Sequence, residues 1–117
     1  PFRNAIFDAV FAVHIVAHLP APDRRWIAGE VHRLLRPGGM LFFCEFSSDD
    51  FRFGHGDETE EATFLRGTNI STHYFSEQEV VSLFSCLTPV SVRTCRWPMR
   101  VRGIDLVRSE ITAVFTR

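Results

Sequence analysis

The residues able to do chemistry are scattered along the chain. His14 and His18 are four apart, a spacing that sets two rings on one face of a helix and suits a metal. They fall in HIVAHLPAP, which reads as a loop with no carboxylate or thiol nearby in sequence, so no metal site is expected. Glu45 stands inside the apolar run MLFFCEF. A buried carboxylate there needs a partner and has its pKa raised. It then acts as a base, orients a bound group, or pairs with an arginine. Ser47 and Ser48 follow it and can bind substrate or cap a turn. The forked guanidinium of Arg66 suits a carboxylate, a phosphate or a ring edge. His73 and Tyr74 lie just beyond, Tyr74 being the single tyrosine. The competing reading makes Phe64 and Phe75 core and pairs Arg66 with the acidic run 57–61, a solvated face. Arg93, Arg96, Arg100, Arg102 and Arg108 crowd the last quarter, against Asp105 and Glu110. Such a cluster guides a phosphate backbone or lies over aromatic surface on both faces of a hairpin.

These residues need elements to place them. Residues 6–13 (IFDAVFAV) are almost continuously apolar, which predicts a strand covered on both faces, as in a parallel sheet. From Asp23 to Leu35, Ile27, Val31, Leu34 and Leu35 define one helical face, with Arg24, Arg25, Glu30 and Arg33 outside it. Pro37-Gly38-Gly39 stops that helix. Met40 to Phe46 is a second buried strand, giving a βαβ unit and a parallel pair. The segment from Ser47 to Thr72 is long, polar and acidic but carries Phe51, Phe53 and Phe64, the mark of a lid. Ser76 and Glu79 form a capping box for a helix that buries Val80, Leu83, Phe84 and Leu87 and ends at Pro89. Residues 90–97 and 110–116 read as strands. Residues 97–108 read as an Arg-rich connection turning at Gly103, which predicts an antiparallel closing hairpin.

The composition is that of an ordinary globular domain: 117 residues, 45% hydrophobic and 23% charged. This excludes collagen, a disordered tail and a coiled coil. No apolar run is long enough to span a membrane. The net charge of −1 gives no bulk attraction to nucleic acid or anionic lipid. All thirteen basic residues are arginine. Cys44, Cys86 and Cys95 are odd in number and lack a CxxC spacing, so neither a disulfide framework nor a zinc ribbon is indicated. They read as inert residues in buried elements, in a reducing, cytoplasmic setting.

The segments Phe7-Asp8-Ala9-Val10, His14 to Pro20 and His32 to Gly39, followed by Leu41, together resemble the second half of class I S-adenosylmethionine-dependent methyltransferases. Nearly the whole chain is covered by the resemblance, including the closing hairpin. It implies an α/β fold: a partial Rossmann-like sheet, strands four to seven of seven, with flanking helices and the last strand antiparallel. It implies S-adenosylmethionine as cofactor and places Val13, His14 and His18 beside it, at the C-terminal end of a parallel strand where α/β sheets bind ligands. The acceptor side would be Glu45, Ser47, Arg66, His73 and Tyr74, under a lid of residues 47–75. The family's glycine-rich turn and second-strand acidic residue are not in these 117 residues; Gly54-His55-Gly56 lies in the polar insert, outside a strand-to-helix turn. The chain is therefore expected to be the C-terminal half of a domain. Its first residue is Pro1, and a buried-looking strand follows within six residues. Its expected partners are the N-terminal half, or a second copy meeting the open edge of the first strand. The expected acceptor is a small molecule, with an RNA base as the alternative. The chain alone is expected to be inactive; the alternative function is a non-catalytic half-domain that associates through its exposed sheet edge.

Overall fold

The computed structural model describes residues 2–67 and 69–117. Its main sheet has four strands: β1 (Phe7–Val13), β2 (Leu35–Phe46), β6 (Thr88–Val101) and β7 (Ile104–Thr116), in the order β1-β2-β7-β6. β1 and β2 are parallel, joined by helix α1 (Ala21–Leu34). β7 runs antiparallel to both β2 and β6. The expected βαβ unit and closing hairpin are both present.

The join between α1 and β2 is tighter than a loop. Phe7 pairs with Leu35, yet Ala9 pairs with Met40, so Arg36 to Gly39 bulge out of the ladder. Gly38 takes φ +83°. A Cβ on Gly39 would sit 2.9 Å from the Arg36 carbonyl and 3.1 Å from that of Asp8. Both glycines are thus required for β2 to start directly from the helix end.

The core lies on one face of the sheet. Leu41, Phe43 and Glu45 of β2 alternate inward with Ile111, Ala113 and Phe115 of β7. They meet Ala28 and Val31 of α1, Val80 of α2 (Glu77–Leu83), and Phe75, Phe84 and Leu87. Phe43 takes Phe75 and Phe84 edge-on, each ring centre 5.5 Å away. Such pairs contribute about 0.5–1.5 kcal/mol each beyond their buried area. The opposite face differs from the expectation of double coverage. Phe11 stacks on Phe42 at 4.8 Å but is 71% exposed, and Val13 is 51% exposed. Both helices pack on the other side, so β1 is covered on one face only.

Four further expectations are corrected. The stretch 97–108 is strand: β6 and β7 pair continuously from Trp97↔Arg108 to Val101↔Ile104. The turn is only Arg102 and Gly103, at φ +50° and +78°, a two-residue primed turn whose twist matches its strands. The lid contains its own antiparallel sheet of β3 (Asp57–Glu60), β4 (Thr63–Leu65) and β5 (Ser71–His73), in that order. α2 starts from its Ser76 cap, which accepts from the Glu79 amide at 3.1 Å, but stops at Leu83. Pro89 belongs to the irregular start of β6. Arg24, expected outside α1, is buried and bonded to Glu60 and to the Leu19 carbonyl. No helix among the described residues is long and apolar enough to cross a membrane.

Candidate functional site

His14 is the first residue past β1, and its amide still donates to the Cys44 carbonyl at 3.0 Å, extending the parallel ladder. Its φ is +52°, a conformation that costs a non-glycine residue energy and is kept only where the surroundings hold it. The surroundings are chemically specific. Nδ1 lies 3.5 Å from Glu45 Oε1, and Nε2 lies 2.9 Å from Glu110 Oε2 and 3.9 Å from Cys44 Sγ. The ring also rests on Phe46, with centres 4.7 Å apart.

Glu45 is 1% exposed. Its Oε2 accepts from the Ala17 amide at 2.9 Å, within the short 3-10 turn Val16–His18 that follows β1. Burial raises the Glu45 pKa, and the Ala17 amide and the nearby His14 and His18 only partly offset it. Burial also pushes the Cys44 thiol up to about 12, with the hydrogen bond and charge of Glu110 next in importance. His14 and Glu45 are therefore brought together, with Cys44 and Glu110 as unforeseen neighbours. The register shows why: Val13 pairs with Cys44, and Phe46 pairs with Glu110. His18 turns aside, its Nδ1 3.0 Å from the Ser71 carbonyl of the lid. The Val13 side chain points to the uncovered sheet face.

The remaining candidates lie under or within the lid. Ser47 is buried; its hydroxyl meets that of Ser109 at 2.6 Å and accepts from the Asp49 amide. Beside it is a buried ion pair not foreseen in sequence. Asp50 Oδ1 accepts from Arg108 Nε at 2.9 Å and from the Ser109 amide at 3.0 Å. The Arg108 guanidinium lies 4.1 Å over the Phe46 ring. His73 is also buried, between Thr63 Oγ1 and Glu79 Oε2, each 2.7 Å away. Tyr74 packs with Phe53 and Phe64; its hydroxyl pKa is raised by burial and then by the Asp50 charge. Arg66 forms no ion pair among the described residues; the acidic run instead sends Glu60 to Arg24, 3.0 Å away. Burial raises the Glu60 carboxyl, but the bonds from Arg24 and Ala21 outweigh it and leave the pKa lowered.

A cavity of about 920 Å³ opens between the start of α1, the lid sheet and α2, with Arg24, Phe53, His73, Tyr74 and Glu79 among its lining. It shares no residue with the His14 cluster. The His14 cluster occupies the place where open α/β sheets bind ligands, beyond the C-terminal end of a parallel strand. The arginine cluster is divided: Arg108 is internal, Arg96 pairs with Asp49, and Arg100 lies 3.7 Å from Asp105. Cys86 and Cys95 are exposed, correcting the expectation that all three thiols sit in buried elements.

The Methyltransferase domain family matches residues 1–43. The tRNA N(3)-methylcytidine methyltransferase Mettl2 of Drosophila melanogaster is 25% identical over 83 residues, covering 68% of this chain and 26% of that protein. The sterol 24-C-methyltransferase erg6 of Schizosaccharomyces pombe is 38% identical over 52 residues, covering 44% and 13%. The chain thus spans about a quarter or less of these curated relatives. Among solved structures, a SAM-dependent methyltransferase of Methanosarcina mazei superposes with a TM-score of 0.73 at 23% identity, covering 98% of this chain and 61% of that one. The chain carries part of the class I S-adenosylmethionine-dependent methyltransferase fold, and its first 43 residues match the methyltransferase-domain family.

Proposed function

We propose that this chain is the acceptor-side half of an S-adenosylmethionine-dependent methyl-transfer site, corresponding to strands four to seven of the full sheet. The observation that carries the reading is the convergence of His14, Glu45 and Glu110 at the end of parallel strand β1. S-adenosylmethionine, when bound, supplies an electrophilic methyl group on a sulfonium centre. Two carboxylates beside a strand end make a negative environment that suits such a cation. The cradle for the rest of the cofactor is not among these residues. Gly54-His55-Gly56 precedes β3, and a Cβ on Gly56 would lie 2.3 Å from the Leu65 carbonyl, so its glycine serves lid packing. Val13 and His14 would line the cofactor side. The His14 ring, set between two carboxylates, orients the acceptor and can hold the proton it gives up. Position is the main lever in such a transfer.

A small-molecule acceptor is the primary reading, supported by the lid, whose Phe53, Phe64 and Tyr74 rings pack together and can cover one. An RNA base is the alternative, supported by the exposed Arg93 and Arg102 on the hairpin and by the tRNA methyltransferase among the relatives. The partner would be an N-terminal half, or a second copy, seated against the β1 edge and the bare face around Phe11 and Val13. The test is calorimetry with S-adenosylhomocysteine on two proteins: the 117-residue chain, and the same chain grafted onto the N-terminal half of the Methanosarcina mazei protein. Binding is expected only in the graft and weakens at least tenfold with His14→Ala. Tight binding by the chain alone would refute the half-site reading.

A further inference from the structure

We propose that His14, Cys44 and Glu110 form a binding site for a thiophilic divalent cation, with Zn²⁺ the best-matched ion. One donor atom from each lies within 4.8 Å of the other two. The three stand just past β1, near the end of β2 and within β7, so the sheet itself sets their spacing. Nitrogen, sulfur and oxygen together suit zinc; magnesium and calcium favour all-oxygen sites.

Three further features support it. His14 presents Nε2 to Cys44 and Glu110, while its other nitrogen faces the buried Glu45. A carboxylate behind a histidine ligand fixes the ring and its tautomer, the usual support of a metal-bound imidazole. Glu45 is itself anchored by the Ala17 amide. Negative charge gathers here: the carboxylates of Glu45 and Glu110 flank the His14 ring at 3.5 and 2.9 Å. A divalent cation would relieve that excess and take the thiol as thiolate, releasing its proton to solvent. Finally, the His14 side chain is 38% exposed, which leaves an approach for the ion and an open position for a further ligand. Cys95 lies opposite Glu110 in the β6–β7 register, but its sulfur falls outside the set.

The cation site shares His14 and Glu110 with the proposed methyl-transfer site, but the two readings fail separately, because cation binding is measured without a methyl donor. The experiment titrates the chain with Co²⁺, following the thiolate-to-cobalt charge-transfer absorption, and then with Zn²⁺ against a chromophoric chelator. One equivalent should bind with a thiolate band, and Zn²⁺ should displace Co²⁺. Cys44→Ser should abolish the band, and His14→Gln and Glu110→Gln should each weaken binding at least tenfold. Glu45→Gln should keep the band but weaken affinity by about tenfold. Cys86→Ser, remote from the cluster, should bind as the parent does. Circular dichroism of each variant separates lost ligation from lost fold. A folded parent without the band, or folded Cys44→Ser and Glu110→Gln that bind like the parent, would overturn the site.

Discussion

Removing the Asp50 carboxylate asks how firmly the lid is tied to the sheet. The Asp50 side chain is fully buried and Arg108 is 9% exposed. Its Oδ1 receives both Arg108 Nε and the Ser109 amide, and Oδ2 receives the Arg52 amide at 3.2 Å. Arg108 Nη2 is buried with no partner among the described residues. Asp50→Ala thus leaves a buried guanidinium and a buried amide without their acceptor. Breaking such a pair from one side costs about 3–5 kcal/mol. The Phe46 and Phe51 rings, 4.1 and 5.1 Å from the guanidinium, retain a cation–π contribution of about 1 kcal/mol. A loss near 3 kcal/mol is therefore expected, a large share of the ~5–15 kcal/mol that holds a typical domain. Adding Arg108→Met removes the orphaned charge and should recover about 2 kcal/mol, within the range seen for coupled neighbours. Urea unfolding followed by circular dichroism measures both variants. Hydrogen exchange at the Tyr74 and Phe75 amides, which bond to Ala62 and Phe46, reads the lid directly. A loss below about 1 kcal/mol for Asp50→Ala, or a double variant no more stable than the single, would refute the reasoning.

Other outcomes follow from the same geometry. Between the ordinary value of 4.5 and its raised folded value, Glu45 binds more protons in the folded chain than in the unfolded one. Stability therefore falls as pH rises through that window; in Glu45→Gln, which keeps an acceptor for Ala17, urea midpoints should lose that fall. Iodoacetamide should label Cys86 and Cys95 at least about tenfold faster than Cys44 near neutral pH, as read by mass spectrometry, because the Cys44 thiolate is disfavoured. His73→Ala should cost about 1–3 kcal/mol by removing the buried ring that bridges Thr63 and Glu79, with the loss reported by thermal unfolding. Phe11→Arg should reduce any self-association seen by light scattering, since it places charge on the bare face.

The parts legible in sequence are those fixed by local pattern. The apolar runs around Val10 and Phe43, the helical spacing of Ile27 and Val31, and the Ser76 cap each report their own element. The β6–β7 extension is hidden because Arg96 and Arg100 occupy exposed positions of a strand pair and so break the apolar alternation that marks a half-buried strand. The lid sheet was hidden because its strands are only three or four residues long. His14 and Glu45 were readable as strand-end residues. Cys44 and Glu110 were not readable as their neighbours, because only the register of β2 against β1 and β7 brings them together. Asp50 and Arg108 are 58 positions apart, beyond any local signal.

The two-residue turn at Arg102 and Gly103 also has a kinetic consequence. It closes a two-residue loop between the two longest strands, so the β6–β7 hairpin can zip early, on the microsecond scale of isolated hairpins. β1 and β2 are parallel and must wait for α1 to cross over, a slower closure. The hairpin therefore offers β7 as a preformed template onto which β2 docks. That order sets Glu110 in place first and completes the His14 cluster last, when β2 brings Cys44 and Glu45 and β1 brings His14.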